Sequence, residues 1–250
     1  MIAFPPGYVL IKLDSVDSTN DEAKRRAEGG APDNTVIWAR QQTVGRGRRG
    51  RSWESPLGNL YCSLLLRPKH SYDVVMQLGF VAALALQECL AARAPAGVPV
   101  ACKWPNDLLI GGQKCAGILM ETAGAGGKLG PDWTVLGFGL NVMRHPARSE
   151  FPATSLHKSG FAAVQLDELL VEILSRFDVW RGRWQGLGFS AVRDAWMAVA
   201  FGRGEAVTVR LHDETLHGTF ADMDRDGALL VDVAAGQRRI TAGDVFYSLP

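Results

Sequence analysis

The stretch "VACKWPNDLLIGGQKCAGILMETAG", residues 100–124, holds two apolar runs of strand length joined by the turn Ile110-Gly111-Gly112-Gln113. A Gly-Gly pair between two such runs is hairpin chemistry, because glycine supplies the backbone angles a tight reversal needs. Trp104-Pro105 makes a second turn upstream, flanked by Lys103, Asn106 and Asp107. Lys114 opens the second run, directly before "CAGILM". An ammonium entering an apolar strand is either partly desolvated and aimed into a cleft or, as is commoner, left in solvent at the strand end. Asp107 either holds Mg²⁺ or caps the turn.

Working outward, "VVMQLGFVAALALQECLAARA" is apolar nearly all round and predicts a buried helix. "YVLIKLDSVDSTNDEAKRRAEGG" predicts a strand, a turn and a helix, capped by Ser18 or by Thr19 with Glu22 in a capping box, and stopped by Gly29-Gly30. "NTVIWARQQ", "NLYCSLLLRP" and "WTVLGFGLNV" predict further strands. "QLDELLVEILSRFDVW" places Leu166, Leu169, Leu170, Ile173, Leu174 and Phe177 on one helical face. After about Gly202 the pattern changes to short alternating runs, "AVTVRL", "TLHGTFADMDRDGALLVDV" and "RRITAGDVFYSL", which predict a small β-barrel. The expected class is α+β: a mixed sheet with helices forming a catalytic domain over residues 1–201, then a small β-domain over residues 202–250.

Charge is concentrated in one place. "QQTVGRGRRGRSWESPLGNLY", residues 41–61, packs Arg46, Arg48, Arg49 and Arg51 among Gly45, Gly47 and Gly50. Glycines bring backbone N–H groups close to an anion, and guanidinium binds phosphate through paired hydrogen bonds. The run lacks the Gly-x-x-x-x-Gly-Lys-Ser/Thr pattern of a Walker loop. It reads as a polyanion site that orders on its ligand, with a solvated basic loop or a nucleic-acid contact as the plainer readings. "DSTN", Asp17 to Asn20, can meet a ligand head group, although capping alone explains it.

The chain of 250 residues is 47% hydrophobic with a formal net charge of +1, so no global field draws it to nucleic acid or membrane. Cys62, Cys89, Cys102 and Cys115 are scattered without zinc spacing and read as ordinary buried thiols in a reducing, cytoplasmic setting. The N-terminus has no signal-peptide pattern. "LGFVAALALQECLAA" reads as too short and too flanked by charge to span a bilayer.

Taken in order, "DSTN", "QTVGRGRRGRSW", "SPLGNLY", "KWPNDL", "KCAGILMET", "GFGLN", "ATSL", "GALLVD" and "ITAGDV" resemble the biotin–protein ligases, also called biotin–[acetyl-CoA-carboxylase] ligases, from about Leu13 onward. The resemblance implies an SH3-like β-barrel at the C-terminus. It implies biotin and ATP as substrates, with Mg²⁺ accompanying ATP, and a C–N bond-forming ligase. Such an enzyme makes biotinyl-5′-AMP, then passes biotin to a lysine of a biotin carboxyl carrier protein or acetyl-CoA carboxylase subunit. Carried over by position, Lys114 and Arg48 are catalytic. Ser18, Thr19, Asn20, Gln42, Arg46, Gly47, Arg48 and Lys114 meet biotin. Arg48, Arg51, Trp53, Asn106, Lys114, Asn141, Trp196 and Arg203 meet the nucleotide, the last two on a looser match. No residue is assigned to hold metal. The arginine loop is implied to fold over the adenylate and shield it from water.

Some members carry an N-terminal helix-turn-helix domain, but "DSTN" begins at Asp17, and the sequence reads as the ligase-only form without specific DNA binding. Homodimerisation is left open. Lipoate–protein ligases and octanoyl transferases share the implied fold and a comparable lysine but not the "GRGRRGRSW" loop. A nucleic-acid-binding protein using that loop is the alternative of another class, opposed by the balancing acids elsewhere and by a β-domain without interleaved basic and aromatic residues.

Overall fold

The computed structural model describes residues 4–124 and 130–247. The extreme ends of the two expected domains, 1–3 and 248–250, lie outside the described residues.

Seven strands form a mixed sheet: β1 (Val9–Leu13), β2 (Thr35–Ala39), β3 (Leu60–Leu66), β4 (Val100–Lys103), β5 (Asp107–Ile110), β6 (Gln113–Ala123) and β7 (Trp133–Leu140). Their order is β1-β2-β3-β7-β6-β5-β4. Only β1 and β2 run parallel, and the other neighbours are antiparallel. The stretch 100–124 is therefore three strands rather than two, because the Trp104-Pro105-Asn106 turn already reverses the chain between β4 and β5.

Both faces of the sheet carry helices, so its central strands are largely apolar. The helix α1 (Thr19–Glu28) lies on one face, where Ala23 and Ala27 pack on Ile37, Leu65 and Val135. The alternate residues Val36, Trp38, Leu64, Leu66 and Leu136 face the other way, into the main core. That core is built by α2 (Tyr72–Met76), α3 (Leu78–Ala91), α4 (Leu166–Leu187) and α5 (Phe189–Ala198). α4 buries Leu169, Leu170, Ile173, Leu174 and Phe177, while Leu166 is half-buried at its start. The 20-residue span 72–91, α2 and α3 joined at Gln77, is long and apolar enough to cross a membrane, but much of this segment is spent on the core. All four cysteines are buried and unbridged, and burial pushes the Cys62 and Cys89 thiols up to about 12 and the other two higher.

A second sheet follows, with β8 (Ala206–Arg210), β9 (Thr215–Met223), β10 (Leu229–Val233), β11 (Gly236–Ile240) and β12 (Asp244–Tyr247) in the order β11-β10-β9-β8-β12, all antiparallel. It is the small C-terminal β-domain of the expected α+β fold. Its turn between β9 and β10 docks on the seven-stranded unit: the Trp104 indole N–H donates to the Gly227 carbonyl at 3.0 Å.

Candidate active site

α1 covers only part of its face of the sheet. Beyond its N-terminus, register brings two rows of small or polar residues across the strands. One row pairs Ser63 with Gly137 and Gly137 with Leu119. The other pairs Gly139 with Gly117, Gly117 with Asp107, and Asp107 with Lys103. The glycines make this floor approachable. A Cβ on Gly137 would collide with the Asn20 side-chain oxygen, and one on Gly139 would fall 2.7 Å from the Trp53 indole.

At one end the floor carries a socket of uncharged polar side chains, backed by the Glu121 carboxylate whose charge Lys24 and Arg46 balance. Ser18 is the helix cap, its hydroxyl accepting from the Asp21 backbone N–H, and the expected Thr19/Glu22 box does not form; Glu22 pairs instead with Arg25 and Arg26. With Ser18 in that place, Thr19 and Asn20 are free to turn inward. Gln42 Oε1 accepts from the Thr19 N–H at 2.8 Å and from its hydroxyl at 3.1 Å, while Gln42 Nε2 donates to Ser55 Oγ at 2.8 Å. The Ser63 hydroxyl donates to Asn20 Oδ1 at 2.6 Å, and Asn20 Nδ2 donates to Glu121 at 2.8 Å. Burial would raise the Glu121 carboxyl, but hydrogen bonds from Lys24 and Asn20 outweigh it and hold it below its ordinary range.

The other end is cationic. Lys114 Nζ lies 2.6 Å from Asp107 Oδ1 and 5.4 Å from the centre of the Trp53 ring. Arg48 Nη1 donates to Asn106 Oδ1 at 3.0 Å, and burial pulls its guanidinium below its usual value against the pull of Asp244 and Asp107. Lys103 is 6% exposed, its ammonium 3.7 Å above the Phe151 ring. Burial lowers its pKa to about 8, with Asp107 opposing and Lys114 reinforcing the shift.

The arginine loop bridges the two ends. Arg46 and Ser52 form an isolated bridge, Gly47 N–H donates to the Arg51 carbonyl at 2.7 Å, and a single 3₁₀ turn, Arg48–Gly50, makes the tip. Four guanidiniums so close in sequence repel one another, and here the protein itself supplies balancing anions. Arg46 pairs with Asp21 and Glu121, and Arg49 and Arg51 pair with Asp244.

Ser18, Thr19, Asn20, Gln42, Arg46, Gly47, Arg48, Arg51, Trp53, Asn106 and Lys114 thus line one cleft. Asn141 lies outside it, buried, with its amide N–H on the Thr154 carbonyl at 3.0 Å, beside an adjoining pocket shared by Arg51, Trp53 and Lys114. Two of the assigned residues lie away from the cleft. Trp196 is a core residue, 1% exposed and edge-on to Phe80 at 5.7 Å, because it shares the buried face of α5 with Phe189, Val192 and Met197 and so turns inward. Arg203 is an exposed residue of the turn before β8 and does not line the cleft.

Ser63, Lys103, Glu121, Phe151 and Asp244 also serve the site and carry no assignment from sequence. Two had a readable signal. Ser63 is a lone hydroxyl in the apolar run of β3, and Glu121 continues the alternation Gly117, Leu119, Glu121 onto the cleft face of β6.

Residues 13–135 match the Biotin/lipoate A/B protein ligase family, and residues 203–247 match the Biotin protein ligase C terminal domain. The biotin–[acetyl-CoA-carboxylase] ligase of Paracoccus denitrificans is 38% identical over 240 residues, covering 94% of this chain and 99% of that protein. The bifunctional ligase/repressor BirA of Bacillus subtilis is 32% identical over 246 residues, covering 96% of this chain and 74% of that protein. Among solved structures, the biotin protein ligase from Aquifex aeolicus in complex with biotin and ATP matches with a TM-score of 0.82 at 29% identity, over 96% of this chain and 99% of that one. Sequence and fold agree along nearly the whole length, and the chain belongs to the biotin protein ligase family.

Proposed function

We propose that this protein joins biotin to the adenylyl group of ATP and then transfers biotin to a lysine of a biotin carboxyl carrier protein. The observation that carries the reading is a single cleft with a neutral hydrogen-bonding socket at one end and Lys103, Lys114 and Arg48 at the other. A ureido ring offers both N–H donors and a carbonyl acceptor, and the Thr19, Asn20, Gln42 and Ser63 groups answer both. A dithiolane or an alkyl chain has no N–H and carbonyl to match those groups and gains nothing from them, so the socket favours the ureido ring.

In the first step a biotin carboxylate oxygen attacks the α-phosphorus. The bond from that phosphorus to the bridging oxygen breaks, and pyrophosphate leaves. Both reactants are anions, so their approach is opposed until cations sit between them. Lys114 and Arg48 are fixed there by Asp107 and Asn106, and fixed charges need no reorganisation as the reaction proceeds. In the second step the acceptor amine attacks the acyl carbon, the carbon–oxygen bond to AMP breaks, and the amine loses its proton. Between the steps the arginine loop shields the mixed anhydride from water. Mg²⁺ enters with ATP as part of the substrate. The described residues offer no group of three His, Cys, Asp or Glu side chains for it, and the cleft carboxylates Asp107 and Asp244 are paired with cations of the protein.

Incubation with biotin, Mg-ATP and a carrier domain tests this, read by intact mass of the carrier. One biotinyl addition, dependent on ATP, is expected. Preferential addition of lipoyl or octanoyl groups when those acids compete would select the lipoate-ligase reading instead.

A further inference from the structure

Asp244 opens β12 and is 6% exposed, yet it lies in the catalytic cleft rather than in the core of its own sheet. Its carboxylate accepts from Arg49 Nη1 at 3.1 Å and from both terminal nitrogens of Arg51, Nη1 at 3.2 Å. Burial would raise this carboxyl, but the Arg51 hydrogen bonds and the nearby Arg49 and Arg48 charges outweigh it and keep it below the ordinary carboxylate range. The tip of the loop it grips is under backbone strain: Arg49 has φ 54° and ψ 35°, a left-handed conformation uncommon for a residue with a Cβ. The rest of the loop closes on itself through the Arg46–Ser52 bridge, so the tip is the part that needs an outside anchor.

We propose that Asp244 is a positioning residue for the ligase reaction: the C-terminal sheet uses it to hold the tip of the arginine loop over the cleft and so retain the activated intermediate. This rests on the function proposed above, but the loop anchoring can be measured without it. One carboxylate serves two guanidiniums from opposite sides of a sharp turn, so its removal frees Arg49 and leaves Arg51 with the longer Glu150 contact at 3.5 Å. A half-buried bidentate pair of this kind is stronger than a surface ion pair.

The test is amide hydrogen exchange across residues 45–52 in the free protein. Asp244→Asn is expected to speed exchange there about tenfold, with β8, β9 and β12 unchanged. Asp244→Glu should restore part of the protection. Arg49→Gln should speed exchange as well, and the double variant should add less than the sum of the two. Given biotin, Mg-ATP and a carrier, Asp244→Asn should also raise the ratio of bystander to carrier labelling. Loop exchange equal to wild type in Asp244→Asn would overturn the proposal. So would equal acceleration in β8, β9 and β12, which would mean a loosened sheet. Failure of the wild-type protein to form any adenylate would remove the ligase reading and leave the exchange result standing.

Discussion

At the scale of single residues, two lysines in one cleft do different things because their surroundings differ. Lys114 is paired with Asp107, while Lys103 rests on the face of Phe151 with more distant charges around it. Lys114→Ala should lower the rate of adenylate formation by about 10²–10³, the usual cost of losing one preorganised charge. Pyrophosphate release at the wild-type rate would remove Lys114 from the chemistry. Lys103 carries a pH signature. Its pKa in the free protein is lowered to about 8, so the ammonium is present below that pH and lost above it. Therefore kcat/KM for ATP should fall as pH rises through about 8, whereas kcat should hold to higher pH, since a bound phosphate favours the charged form. Lys103→Arg should move the fall to higher pH, and an unchanged profile in that variant would exclude Lys103 as its source. Lys114 and the loop arginines were legible in sequence because each belongs to a short contiguous motif, "KCAGILMET" or "GRGRRGRSW", that carries the family resemblance. Asp244 was not: it sits 195 positions from Arg49, and nothing in "ITAGDV" says that this acid faces another domain. Trp196 is the reverse case, since Phe189, Val192 and Trp196 at helical spacing in α5 already describe a buried face.

At the scale of elements, β7 shows how a strand becomes a binding surface. "GFGL" alternates Gly137 and Gly139 toward the cleft with Phe138 and Leu140 toward the core. The glycines are there for close approach, since both have ordinary strand conformations. Gly137→Ala should displace Asn20, cost about 1–3 kcal/mol by overpacking, and weaken biotin binding by calorimetry. Gly182→Ala supplies the contrast, for that glycine lies exposed in α4 with nothing near its added Cβ. It should stabilise the protein by about 0.5–1 kcal/mol through helix propensity, seen as a higher Tm with unchanged biotin affinity. Loss of biotin affinity in Gly182→Ala, or none in Gly137→Ala, would show that the floor is not where biotin binds. Most elements were readable from period and punctuation. The exceptions have physical causes. The Trp-Pro turn reads as an interruption within one strand but reverses the chain, and Gly188, at φ 77°, starts α5 directly after α4 without a polar loop to announce it.

At the scale of the whole molecule, the two sheets meet beside the cationic end of the cleft. Trp104 bonds to the Gly227 carbonyl, Arg193 of α5 donates to the Met223 carbonyl at 2.6 Å and to Asp222 at 2.7 Å, and Phe151 stacks on Phe246 at 4.8 Å. The neutral socket, by contrast, is built wholly from the first sheet and the elements on it. Loosening the junction should therefore separate the two substrates. Gly227 is the place to do it: φ is +91°, and a Cβ there would fall 2.6 Å from the Phe80 ring. Gly227→Val adds left-handed strain and a ring clash, together about 2–4 kcal/mol, located at the turn that docks the C-terminal domain. The variant should raise KM for ATP and let adenylate escape sooner, while the Kd for biotin alone stays within a few-fold of wild type. Trp104→Phe, which deletes the hydrogen bond and keeps most of the packing, should do the same more weakly. If biotin affinity falls in step with ATP affinity in both variants, the cleft responds as one unit, and the division of labour between its neutral and cationic ends is refuted.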